Sequence, residues 1–86
     1  MNVFDERRIR AQELMAQNDV AALHVAGREN YFYLTGDVRS VARIFLPQRG
    51  EPTVIVFDEE VESAREATGI KDVRGWRSPQ CRHPFL

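Results

Sequence analysis

Cysteine is nearly absent: Cys81 is the single one, and a lone thiol closes no internal disulfide. With only His24 and His83 beside it, no cysteine/histidine set of the kind that holds structural zinc can be assembled. A reducing, cytoplasmic setting is the expectation. Long apolar runs are missing too. The longest, residues 20–26 and 54–57, fall far short of the roughly 20 residues that span a bilayer. Residues 1–10 lack the apolar stretch of a secretory signal, so no membrane is expected among the partners. Net charge is scarce as well: 12 basic residues against 13 acidic ones leave −1, which draws the chain toward neither nucleic acid nor an anionic surface. Lysine almost vanishes, Lys71 being the exception among arginines. Those arginines are scattered and form no run, so the skew reads as codon bias, not as a recognition surface.

Length is the remaining scarcity. A chain of 86 residues has room for one small domain. At that size folding buries only roughly 60–65% of the surface the unfolded chain exposes, too little for a complete two-substrate enzyme with its own deep cleft. A binding module, or a piece of something larger, fits better. What is present is ordinary globular material, 43% hydrophobic and 29% charged, so a folded core is expected.

The pattern along the chain predicts an α/β fold. Residues 5–17 form a helix, with Asp5 as N-cap and Asn18 suited to a left-handed C-cap. Phe4, Ala11, Leu14 and Met15 share its apolar side, Ile9 points away, and Arg7 and Arg8 crowd the edge of the stripe. Residues 20–25 are a near-continuous apolar strand of the kind covered on both faces, with His24 as a packed strand residue. Asn30 caps one helical turn over residues 31–34, which Gly36 ends, and its three consecutive aromatics plug the edge of the core. A strand over residues 41–46 turns Ala42, Ile44 and Leu46 to one face and Val41, Arg43 and Phe45 to the other. Pro47, Gly50 and Pro52 bracket a turn into a strand over residues 53–57, making an antiparallel hairpin. Asp58 caps a helix over residues 59–68 that Gly69 stops, with Val61 and Ala64 on its buried side. Residues 70–76 return as a short strand, and 81–86 are an irregular tail after a domain of residues 1–80.

Chemistry is hard to place on this frame. His24 lies in a strand, and Cys81 and His83 lie in a tail without the rigid support that would hold a base against a thiolate. The five glycines are isolated at turns and caps, so no phosphate loop is present. The acids between Asp58 and Glu66 fit a solvated helix face, not a metal cluster. Asp37 and Arg39, in the loop after Gly36, are the one candidate contact site; the plainer alternative is a solvated loop whose opposite charges contribute little.

The order of these elements, with the segment Asp19-Val20-Ala21-Ala22-Leu23 and the string Asn30, Tyr33, Leu34, Thr35, Gly36 in Asn-x-x-Tyr-Leu-Thr-Gly spacing, resembles the amino-terminal domain of the creatinase/prolidase family. The resemblance covers residues 7–80 and implies a small mixed β-sheet with flanking helices, incomplete because the family's domain continues with a further helix and strand. Truncation of this kind is expected to leave apolar surface exposed. The parent protein implied is an Xaa-Pro aminopeptidase or dipeptidase. Its separate catalytic domain holds two divalent metals, manganese or cobalt, with two Asp, one His and two Glu. None of those ligands is placed in this chain, so no cofactor and no catalytic residue is expected here. The domain's implied roles are dimerisation and screening of the active site, its partners being another copy or a catalytic domain. The loop from Gly36 to Ser40, with Asp37 and Arg39, is the implied contact with the partner subunit. A free-standing interaction module is the alternative; a downstream reading frame encoding the five ligands distinguishes the two.

Overall fold

Asn2, not Asp5, begins the first helix in the computed structural model, which describes residues 2–77. The Asn2 side chain accepts a hydrogen bond from the Asp5 backbone N–H (2.8 Å), and the Asp5 carboxylate accepts one from the Asn2 N–H (3.4 Å). This reciprocal cap satisfies donors that every helix start leaves orphaned, and it lengthens the expected helix to α1, Val3–Gln17. Asp5 therefore sits at the third helical position of the motif, not at its cap. At the other end Asn18 is not left-handed (φ −107°); Asp19 is (φ 60°), while the Asn18 amide bonds back to the Leu14 carbonyl.

The packed stripe of α1 is Arg8, Ala11, Gln12 and Met15, with spacing of three and four residues. Leu14, expected inside, is 53% exposed, because a residue adjacent to Met15 lies about 100° round the helix from it. Ile9 points outward as expected. The second helix, α2, spans Arg28–Thr35, more than the single turn expected, and Gly27 stands at its cap in place of Asn30. Of its three consecutive aromatics only Tyr31 plugs the core; Phe32 and Tyr33 are exposed, since three successive helical residues cannot share one face.

Four strands make one mixed sheet among the described residues: β1 (Ala22–Val25), β2 (Arg43–Pro47), β3 (Thr53–Phe57) and β4 (Val73–Trp76), in that spatial order. The first two pairings are antiparallel and the third parallel. The hairpin of β2 and β3 has the expected alternation, with Ile44 opposite Val54 and Arg43 opposite Ile55. β1 corrects the reading of a strand covered on both faces. It is an outer strand with β2 as its one neighbour, and Leu23 and His24 are exposed, so His24 is not a packed residue. A short apolar run marks a strand but not its position in the sheet.

After β3 the chain does not enter a helix capped by Asp58. A 3-10 turn, Asp58–Glu60, comes first, and α3 follows over Val61–Thr68. The Asp58 carboxylate bonds the Arg77 guanidinium (3.1 Å) instead. Gly75 in β4 makes room for this turn, because a Cβ there would lie 3.0 Å from the Asp58 Cα. Gly69 ends α3 in a left-handed cap (φ 71°), as expected.

All three helices lie on one side of the sheet. Ile44, Val54, Val56 and Val73 pack there with Tyr31 and Leu34 of α2 and Ala64 of α3, while Met15 of α1 and Leu46 of β2 are buried on the same side. Each large aliphatic so buried contributes about 1.5–3 kcal/mol. The tail 81–86, with Cys81 and His83, lies outside the described residues.

Candidate functional site

The loop joining α2 to β2 begins at Gly36, which closes the helix in the left-handed conformation (φ 78°). A Cβ there would come 2.7 Å from the Phe4 ring of α1, so glycine is required twice, for its φ and for the approach of Phe4. The chain then turns Asp37 inward, where 5% of the residue remains exposed. Oδ2 of Asp37 accepts hydrogen bonds from the Tyr31 hydroxyl (2.6 Å) and from Arg39 Nε (2.5 Å). The Asp37 backbone N–H donates to Thr35 Oγ1 (3.1 Å), and that hydroxyl donates to the Tyr31 carbonyl (2.8 Å). Arg39 extends the network to Glu60 Oε1 and Ser63 Oγ, each at 3.2 Å.

This arrangement overturns the picture of a solvated loop whose charges contribute little. A carboxylate paired with a guanidinium at low exposure, and bonded to a tyrosine, is a fastening: it ties the loop to α2, to the 3-10 turn and to α3. Burial raises the Tyr31 pKa well above the ordinary tyrosine value, and the hydrogen bond to Asp37 and its negative charge raise it further. At Arg39, burial by itself would lower the pKa, but the bond to Asp37 and its charge, joined by Glu60, more than offset this and raise it. Neither group exchanges a proton near neutral pH, so the site positions and does not shuttle.

What the loop presents is apolar. Val38 is 76% exposed and borders a shallow cavity of about 430 Å³ shared with Arg28, Glu29 and Phe32. Next to it Arg7 lies over the Tyr33 ring, 4.2 Å from its centroid, and donates to the Tyr33 carbonyl (3.1 Å). Arg8 is buried; it donates to the Leu34 carbonyl (2.6 Å) and pairs with Asp5. Two arginines of α1 thus satisfy carbonyls in the last turn of α2, where cations are favoured. Sequence reasoning missed this grip, as it missed Tyr31, Glu60 and Ser63. The one hint was the position of Arg7 and Arg8 at the edge of an apolar stripe.

Among the described residues no three His, Cys, Asp or Glu side chains converge in a way that could hold a metal ion. Asp37 is spent on Tyr31 and Arg39, and Glu59, Glu62 and Glu66 are exposed. The resemblance assigns the pair of divalent metals to a separate catalytic domain, and the described residues offer no donor set for it. No helix among the described residues is long and apolar enough to cross a membrane.

Residues 7–84 match the family described as the creatinase/prolidase N-terminal domain. No curated protein matches the chain. Among solved structures, the creatinase/prolidase-like N-terminal domain of a Corynebacterium diphtheriae protein superposes with a TM-score of 0.81 at 17% identity, covering 90% of this chain and 62% of that one. An Xaa-Pro aminopeptidase from Streptococcus pyogenes gives 0.76 at 25% identity, covering 92% and 61%. The dipeptidase PepE from Mycobacterium ulcerans gives 0.73 at 26% identity, covering 86% of this chain and 22% of its own. The chain thus spans less than two thirds of each of these relatives. A family match running through nearly its whole length decides the family: the chain belongs to the creatinase/prolidase N-terminal domain family.

Proposed function

We propose that this chain acts as the non-catalytic N-terminal domain of an Xaa-Pro aminopeptidase- or dipeptidase-like metallopeptidase, self-associating and screening the active site of a catalytic domain. The observation that carries the reading is the fastened loop. Asp37, Tyr31 and Arg39 hold its base rigid while Val38 projects into solvent, and a rigid apolar tip beside exposed Phe32 and Tyr33 is suited to contact with another protein surface. Asp37 and Arg39 serve that contact by positioning Val38, not by touching the partner. Substrate, metals and hydrolysis belong to the catalytic domain, and the site of action in this reading is the cytoplasm, with which a single thiol is consistent.

Analytical ultracentrifugation of the chain tests the reading. A concentration-dependent dimer is expected, weakened by Val38→Asp with an unchanged circular dichroism spectrum; a strict monomer at high concentration would remove the self-association. Calorimetric titration with manganese, run with an assay on a proline dipeptide, is expected to show neither tight binding nor turnover. Stoichiometric tight binding with metal-dependent hydrolysis would overturn the non-catalytic role.

A further inference from the structure

Between the first turns of α1, the turn joining β2 to β3 and the residues that follow α3 lies a cavity of about 350 Å³, a size in the range of small-molecule sites. Leu46, Pro52 and Ile70 line it, and all three are buried. Its polar lining is Asp5, Arg8, Gln12 and Glu51. Arg8 is buried, with 9% of the residue exposed; it donates from Nη1 to the Leu34 carbonyl and from Nη2 to the Asp5 carboxylate. Its Nε–H has no partner among the described residues. No fully buried side-chain nitrogen or oxygen among those residues lacks a bond, so Nε–H reaches open space, and the cavity is the space that Arg8 lines. We infer that this cavity binds a free α-amino acid with an aliphatic side chain, held by its carboxylate at Arg8 and by its ammonium at Glu51.

The open groups set the chemistry of the ligand. A carboxylate makes a charge-assisted bond to a guanidinium donor, and Asp5 takes only one of the Arg8 nitrogens, leaving Nε–H for a second acceptor. Glu51 is exposed and has neither a hydrogen bond nor an ion pair among the described residues, so its charge is open to a cation. Gln12 spends Nε2 on the Pro47 and Gly50 carbonyls (2.8 and 3.0 Å) and keeps Oε1 as an acceptor, which suits the three donors of a primary ammonium. A fatty acid or a phosphate would meet Asp5 and Glu51 with like charge. An amine without a carboxylate would leave the Arg8 donor unused. A molecule with both groups on one carbon satisfies both and adds no net charge. An aliphatic side chain laid on Leu46, Pro52 and Ile70 then removes apolar surface from water, and Ile9, exposed at the rim, extends that floor.

Heteronuclear NMR of the full chain tests this, because the backbone amides of Gly50 and Gly69, which border the cavity, and the Nε–H of Arg8 each give a signal of their own. The probes are leucine; leucinamide, which keeps the ammonium and lacks the carboxylate; isocaproate, which keeps the carboxylate and lacks the ammonium; and glycine, which keeps both and lacks the side chain. Leucine is expected to shift these signals in a saturable way. It should bind at least about tenfold more tightly than each of the other three, a difference of about 1.4 kcal/mol. Glu51→Gln lies on an exposed turn and should leave the circular dichroism spectrum unchanged while bringing leucine down to the level of isocaproate. No saturable shift with leucine overturns the inference. Leucinamide, isocaproate or glycine binding as tightly as leucine does so too, since one end or the side chain would then go unread. Shifts that gather at Trp76 and spare Gly50 and Gly69 would place the ligand elsewhere and overturn it as well. None of these outcomes depends on Val38, so this inference and the proposed role of the loop fail separately.

Discussion

Along β2, Ile44 and Leu46 are wholly buried while Arg43 and Phe45, which alternate with them, are exposed; along β3, Val54 and Val56 are buried and Ile55 is only partly covered. The open face sets Phe45, Ile55, Phe57 and Trp76 among His24, Arg43, Thr53 and Arg74, whereas the covered face carries Leu23, Val25, Ile44, Leu46, Val54, Val56 and Val73 with no charged residue between them. Unbroken hydrophobicity therefore marks the inner side. The inner side is the one where three helices bring Met15, Tyr31, Leu34 and Ala64, and among the described residues no helix lies on the outer side.

Breaking the inner side should have the largest effect. Leu46→Ala is expected to cost about 2–5 kcal/mol in urea unfolding, from lost burial and the cavity left behind. Asp37→Ala should come next. It strips Arg39 and the Tyr31 hydroxyl of their shared acceptor, and because Arg39 keeps Glu60 and Ser63, about 2–3 kcal/mol is expected, toward or below the low end for a broken buried pair. The loop would loosen with it, so Val38-dependent association should weaken too, as sedimentation would show.

Tyr31 gives a pH test of intermediate size. Its pKa is raised in the folded state, so the folded chain holds this proton where the unfolded chain has released it. The corresponding stability is complete below the unfolded value of about 10 and is lost as pH rises above it. Unfolding measured from neutral pH upward should show stability falling beyond about pH 10, and Tyr31→Phe should flatten that fall. An unchanged alkaline profile in the variant would show that the hydroxyl is not held as described. The smallest effect is expected outside: Phe45→Ala, 43% exposed, should cost less than about 1 kcal/mol. A loss equal to that of Leu46→Ala would mean that the open face is covered in solution.

Much of the fold was legible because it is local. The alternation in residues 41–46, the turn between β2 and β3, and the left-handed glycines 36 and 69 each follow from the conformational preferences of a few adjacent residues. The first helix was mis-started because Asp5 is an acceptable cap by itself and becomes the third residue of a capping box only once Asn2 is read with it. For the candidate site, the sequence pointed to Asp37 and Arg39, yet their inward orientation depends on Tyr31, Glu60 and Ser63, and no spacing rule joins these residues.

By itself, then, the sequence determined where the chain bends, pairs and stops, since short-range sterics and side-chain caps act within a turn or a hairpin. Tertiary structure decided the rest. Arg8 is buried because the Leu34 carbonyl waits for it 26 residues away; Gln12 is held by the Pro47 carbonyl 35 residues on; Arg39 is fastened to Glu60, 21 residues along. Among the described residues β1 is an outer strand and one sheet face carries no helix, because strand order and helix placement are settled by the packing of the whole layer. A charge at the margin of a stripe, or an apolar residue on a strand, has no inside or outside until that layer exists.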